Sequence, residues 1–333
     1  MKKILLALVS LLAPTIAFAH GKWLVPDYQS VIRSQHGTYD FYTLSSPEVW
    51  VWIVACVCVV FAASVVHRII PDWRSLKRFA ERNRGMIDNV AQFVLGTFLV
   101  ATALFWNVII LPAEEVTTPL LETFRYIEVA IGLMFIFHVA SRYAAIGLLI
   151  LTSVITISHG LEAVLENVIL FSLALYFYLM HTNVRGFWAI LKKYSVDIVR
   201  IGTGVSLIVL ACTEKLLYPE LGMQFLAAHP WNFMQPFFPS FSDQLFVLST
   251  GFAEALFGLV FIFGYVTRVN TVVIATFFAA SVTTMFYQAQ IWEVEDFVVY
   301  CSAILLFFFS HGHTTLPELL GNLLGGRART NPR

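Results

Sequence analysis

Nine stretches of about twenty residues are apolar almost throughout, near 47–67, 89–111, 120–140, 143–159, 165–181, 199–217, 244–265, 269–287 and 295–310. At ~1.5 Å of rise per residue each reaches across most of a ~30 Å hydrocarbon core. The pattern predicts an all-α, polytopic helical membrane protein with about nine transmembrane helices. A tenth apolar run lies at the start: Met1-Lys2-Lys3 is basic, Ile4 to Leu12 is apolar, and Ala17-Phe18-Ala19 has the A-x-A cleavage pattern. That combination predicts a signal peptide over 1–19, with His20 the first mature residue, an uncleaved signal anchor being the alternative.

The segments between the runs differ in charge. Arg68, Arg74, Lys77, Arg78, Arg82 and Arg84 follow the first run; Arg185, Lys192, Lys193 and Arg200 follow the fifth; Arg327, Arg329 and Arg333 close the tail. Arg142 and Arg268 occupy the turns after the third and seventh. The alternate loops, near 112–119, 159–165, 218–243 and 288–294, hold no Lys or Arg. This asymmetry predicts a bacterial inner membrane protein with its mature N-terminus periplasmic and its C-terminus cytoplasmic. Composition agrees, with 58% hydrophobic and 13% charged residues. The zero net charge gives no reason to expect a nucleic acid.

Two runs resemble each other. "EVAIGLMFIFHVASR" (128–142) and "EALFGLVFIFGYVTR" (254–268) are identical at seven of fifteen positions, including both charges and Gly132/Gly258. "ENVILFSLALYFY" (166–178) likewise resembles "EDFVVYCSAILLFF" (295–308). The chain then divides into a periplasmic segment (20–46), an extra helix and basic loop (47–88), a four-helix unit (89–182), a connector (183–198), a second four-helix unit in parallel orientation (199–312) and a tail (313–333).

The second unit resembles the DoxX family of four-helix membrane modules. Its first helix ends in "CTEKLLYPE" (212–220), an outer loop reads "FLAAHPWNF" (225–233), and "GFAEALFGLVFIFGYVTR" (251–268) follows with its Gly-x-x-Glu-x-x-x-Gly run. The likeness covers roughly 198–312. Residues 89–182 form a more divergent copy, with Arg125 where the second unit has Gly251 and no Glu-Lys pair matching Glu214-Lys215. What the resemblance implies is an accessory membrane component of a quinone- or thiol-linked redox system, with a periplasmic or respiratory partner.

Glu128 and Glu254 stand out as carboxylates inside apolar runs. Such a group costs roughly 2.5–3.5 kcal/mol on insertion scales and should face protein with a partner. Arg125, three residues before Glu128, is the expected neighbour of the first; Lys215, on the preceding span, is that of the second, with Tyr126 and Thr250 as further donors. Each pair either pins a helix hairpin or forms a polar site for a headgroup, a proton or a small substrate. The second possibility leaves open a solute or metal-ion carrier using both glutamates between the repeats; a purely structural or assembly role is the other alternative. Gly132 and Gly258 predict close helix contacts.

The loop 218–243 holds Pro219, Pro230, Pro236 and Pro239 among Trp231, Phe233, Phe237 and other aromatics. The prolines argue against helix over most of it. Its apolar character fits a headgroup-zone anchor or a lid over a pocket that a quinone tail could enter. Cys56, Cys58, Cys212 and Cys301 all lie in apolar runs without a C-x-x-C pair, so they predict buried packing residues rather than an autonomous dithiol. The histidines lie near span ends, which opposes a bis-histidine haem. His20, with a free terminal amine, could chelate Cu(II). No nucleotide-binding or hydrolase motif occurs.

Overall fold

The computed structural model describes residues 42–70, 73–110, 114–183, 185–229, 232, 234–289, 296–310 and 315–324. The signal sequence, His20, Trp231, Phe233 and the tail arginines lie outside these described residues. The chain there is almost entirely helical, as the unbroken apolar runs lead one to expect. Helix α1 (Pro47–Ile69) is followed by a short basic helix α2 (Arg74–Arg82). The first unit comprises α3 (Arg84–Ala101), which runs into a π-helical turn at Thr102–Trp106, then α4 (Pro119–Ile136), α5 (Ser141–His159), and α6 (Leu161–Glu166) continuing into α7 (Val168–Met180). Helix α8 (Phe187–Lys193) connects to the second unit: α9 (Ser195–Ala211) with a π-helical turn at Cys212–Leu216, α10 (Pro219–Ala228), α11 (Asp243–Phe263), α12 (Thr267–Ala289) and α13 (Asp296–Phe309). A final α14 spans Leu316–Leu324.

Three local outcomes differ from the sequence reading. The residues after α3 form a two-residue antiparallel pairing, Val108 with Glu115 and Ile109 with Glu114. The proline-rich loop contains α10, because Pro219 sits in the first turn, where its missing N–H has no intrahelical bond to make. The fifth run is divided at Asn167, whose backbone N–H and Nδ2 both donate to the Ala163 carbonyl.

The packing repeats with the sequence. Within the first unit α3 lies on α4, α4 on α5 and α5 on α7; within the second, α9 lies on α11, α11 on α12 and α12 on α13. The units then exchange partners: α7 packs on α9, and α13 packs on α3. One continuous core results, running from Leu95, Phe98 and Phe135 through Phe177 to Phe261, Phe278 and Leu305. The first and second helices of each unit touch at glycine. A Cβ on Gly96 would lie 2.5 Å from the Gly132 carbonyl oxygen, and one on Gly204 would lie 2.6 Å from that of Gly258. No side chain fits at those distances, so backbone meets backbone at the same place in both units.

Among the described residues, five helical stretches are long and apolar enough to cross a membrane: Pro47–Ile69, Arg84–Trp106, Ser141–His159, Ser195–Leu216 and Asp243–Phe263. Val168–Met180, Thr267–Ala280 and Asp296–Phe309 are apolar but shorter. Helix α4 carries Glu122, Arg125 and Glu128 in its 18 residues. Large apolar side chains are exposed along the outside, among them Trp50, Val54, Val57 and Phe61 on α1 and Ile150, Val154 and Ile157 on α5. Such a surface fits lipid rather than water, and the fold is compatible with a multi-pass membrane protein.

Candidate functional site

In the second unit the buried charges gather where the first helix loosens. The π-helical turn at Cys212–Leu216 inserts an extra residue per turn and brings Glu214 and Lys215 inward. Lys215 Nζ donates to Glu254 Oε2 at 2.7 Å and stands 3.9 Å from Glu214 Oε2. All three side chains are 1–3% exposed. One residue before them, Thr213 Oγ1 donates at 2.7 Å to Glu166 Oε1, which comes from the fourth helix of the other unit. Helix α10 packs over this turn and over α11; its Leu221, Gly222 and Phe225 are buried, and a Cβ on Gly222 would come within 2.8 Å of Val247 Cγ2. The cluster is therefore roofed. Phe237 and Phe238, beyond α10, are exposed. Helix α10 thus covers the cluster, while Phe237 and Phe238 face outward.

The first unit answers the same problem without a cation. Glu128 is fully buried and accepts from Thr102 Oγ1 at 3.1 Å and from the Ile110 backbone N–H at 3.2 Å. The expected partner is elsewhere. Arg125 donates to Asn107 Oδ1 at 2.5 Å and to Glu122 Oε1 at 3.1 Å. Helical side chains lean towards the helix N-terminus, so Arg125 reaches back to Glu122 rather than forward to Glu128. Tyr126 also turns to Glu122, and Thr250 donates to the Val247 carbonyl, so neither serves as the proposed donor. Aiming the Ile110 N–H at Glu128 requires backbone with φ of 56° at Asn107 and 39° at Ile110. A β-branched residue in that region is strained by roughly 1–3 kcal/mol, held in place by its surroundings.

Each glutamate thus belongs to the hairpin formed by the first two helices of its own unit. Their places along the helices are similar: Glu128 lies eight residues, ~12 Å, before the end of α4, and Glu254 nine residues, ~14 Å, before the end of α11. A continuous helix from Glu to Arg would have given ~21 Å. The helices instead end before the arginines, which open the following helices. Arg268 there donates to the Phe307 and Phe308 carbonyls, capping the end of α13. Arg142 is half-buried and lies over the exposed neighbouring Tyr143 ring, 4.5 Å from its centroid.

The thiols are free. Cys56 and Cys301 are buried, whereas Cys58 is exposed and Cys212 half-buried, so the expectation of four packing cysteines fails at Cys58. Among the described residues no three His, Cys, Asp or Glu side chains converge as metal ligands. Thr102, Thr213 and Glu166 were not singled out from the sequence. Glu166 had a signal: it is an acidic residue at the start of an apolar run, matched by Glu295-Asp296 in the other unit. No protein-family model, curated protein or solved structure matches this chain.

Proposed function

We propose that this chain is a DoxX-like inner-membrane protein of nine spans, with its mature N-terminus in the periplasm, acting as a non-catalytic membrane component of a quinone- or thiol-linked redox system. Its working site in this reading is the Lys215–Glu254–Glu214 cluster. The supporting observation is that two carboxylates share one ammonium almost out of reach of solvent. When all three are ionised the trio is net negative, which favours arrival of a proton or cation in a medium that screens charge poorly. Quinone and dithiol couples exchange protons with their electrons, so a buried proton-accepting site suits a component beside them. Glu128, held by neutral donors, serves in this account to pin the outer end of its hairpin.

The test uses the compensated variant Glu214→Gln/Lys215→Met/Glu254→Leu in the native membrane. Removing the ammonium together with both carboxylate charges leaves no lone buried charge, so abundance should approach that of the unaltered protein. Quinol- or thiol-linked oxidation by those membranes should nevertheless fall to the level of a strain lacking the protein. Recovery of both abundance and oxidation would reduce the cluster to a structural pin. Extraction of the purified protein for bound quinone, and identification of co-purifying redox proteins, tests the partner class separately.

A further inference from the structure

At the end of the bundle remote from the glutamates, a cavity of about 410 Å³ opens between the two units. Its wall carries Arg84, Lys192, Lys193 and Arg200 against Glu81 and Asp197. Arg200 and Asp197 pair at 3.1 Å, and Arg200 also donates to the carbonyls of Phe261 and Ile262 that end α11. The remaining lining charges are three cations and one anion, and Arg84 also stands 4.0 Å from Asp88 Oδ2, just outside the lining, so the surplus is carried by the two lysines. Two long helices also begin here: α9 at Ser195 and α12 at Thr267, both on the wall. The first N–H groups of a helix have no intrahelical acceptor and carry its positive dipole end; no side chain caps that of α9. Thr267 is 2% exposed, and its hydroxyl has no hydrogen-bond partner. A buried orphan hydroxyl, two helix starts and a cationic surplus converge on one space of ligand size. None of these features belongs to the glutamate cluster.

We infer that this cavity binds a phosphate-bearing anion, either a free phosphate compound or the headgroup of an anionic lipid, with Arg84 and Lys193 supplying adjustable charge and the Thr267 hydroxyl and helix starts supplying fixed donors. The whole protein, delipidated in neutral detergent, is titrated with inorganic phosphate and separately with short-chain phosphatidylglycerol while its melting temperature is followed. Sodium chloride at matched ionic strength and short-chain phosphatidylcholine are the controls. A saturable rise with phosphate identifies the free-anion source; a rise with phosphatidylglycerol alone identifies the headgroup. In either case Arg84→Gln/Lys193→Gln should weaken the response by about tenfold or more, since charge-assisted contacts are lost. Both side chains are on exposed residues, and Lys193→Gln alone provides a milder variant if the double change impairs folding. No rise with either probe, an equal rise with the controls, or an undiminished response in the variants would overturn the assignment.

Discussion

The two four-helix units place a glutamate at a similar point along the second helix, beside a π-helical turn, yet surround it differently. In the second unit the turn carries Glu214 and Lys215, and Glu254 meets an ammonium. In the first, the equivalent turn reads Thr102-Ala103-Leu104-Phe105-Trp106, and Glu128 meets a hydroxyl and a strained backbone N–H. The scaffold is shared down to the paired glycines. What differs is whether the partner is charged. The backbone framework thus repeats where helix must touch helix, while the polar site diverges where packing leaves a choice.

The largest separation between the units is expected on removing the cation. Lys215→Met leaves Glu214 and Glu254 without it in the interior and should cost about 3–5 kcal/mol, seen as collapse of the monodisperse peak in detergent chromatography. The first unit offers no change of that kind. Thr102→Val removes one neutral donor, leaves Glu128 with the Ile110 N–H, and should cost about 1–3 kcal/mol. Should the two variants prove equally stable, the contrast between charged and neutral sites would be lost.

Next in size are changes at the place where the units agree. Gly96→Ala and Gly204→Ala each force a methyl group against a carbonyl oxygen at 2.5–2.6 Å. Each should destabilise by about 1–3 kcal/mol, and by similar amounts, in thermal unfolding of the purified protein. A large effect in one unit alone would show that the repeat is not one scaffold used twice.

The smallest difference concerns the arginines at the helix turns. Arg268→Ala strips the cap from the carbonyls ending α13 and should lower stability by about 1–2 kcal/mol, whereas Arg142→Ala, which gives up a hydrogen bond to the exposed Tyr143, should stay within about 0.5 kcal/mol. Equal losses would argue that both arginines act through the bilayer surface rather than through helix capping.

How much of this was legible follows from the reach of each signal. The glycine contacts and the Lys215–Glu254 pair could be read because each needs only helical spacing and a common depth. The partner of Glu128 could not. It depends on which way Arg125 leans and on two left-handed residues, Asn107 and Ile110, that carry no glycine signature. Helix α10 was hidden for a related reason: Pro219 breaks a helix only where it interrupts the ladder, and here it begins one. The break between Glu254 and Arg268 was equally invisible in the unbroken apolar run, although Gly264, with φ of 78°, marks the stop. The basic cavity was legible only as loop charge, since its lining comes from separate segments spread between residues 81 and 310.

The most direct measurement is a pair of double-mutant cycles read by thermal or denaturant unfolding of the purified protein. One cycle combines Lys215→Met with Glu254→Leu; the other combines Thr102→Val with Glu128→Leu. A coupling of about 2 kcal/mol or more is expected in the first, where Lys215→Met strands two buried carboxylates and Glu254→Leu removes one of them, and about 1 kcal/mol or less in the second. Equal couplings, or a larger one at Thr102–Glu128, would contradict the claim that one scaffold holds an ionic site in one unit and a neutral one in the other.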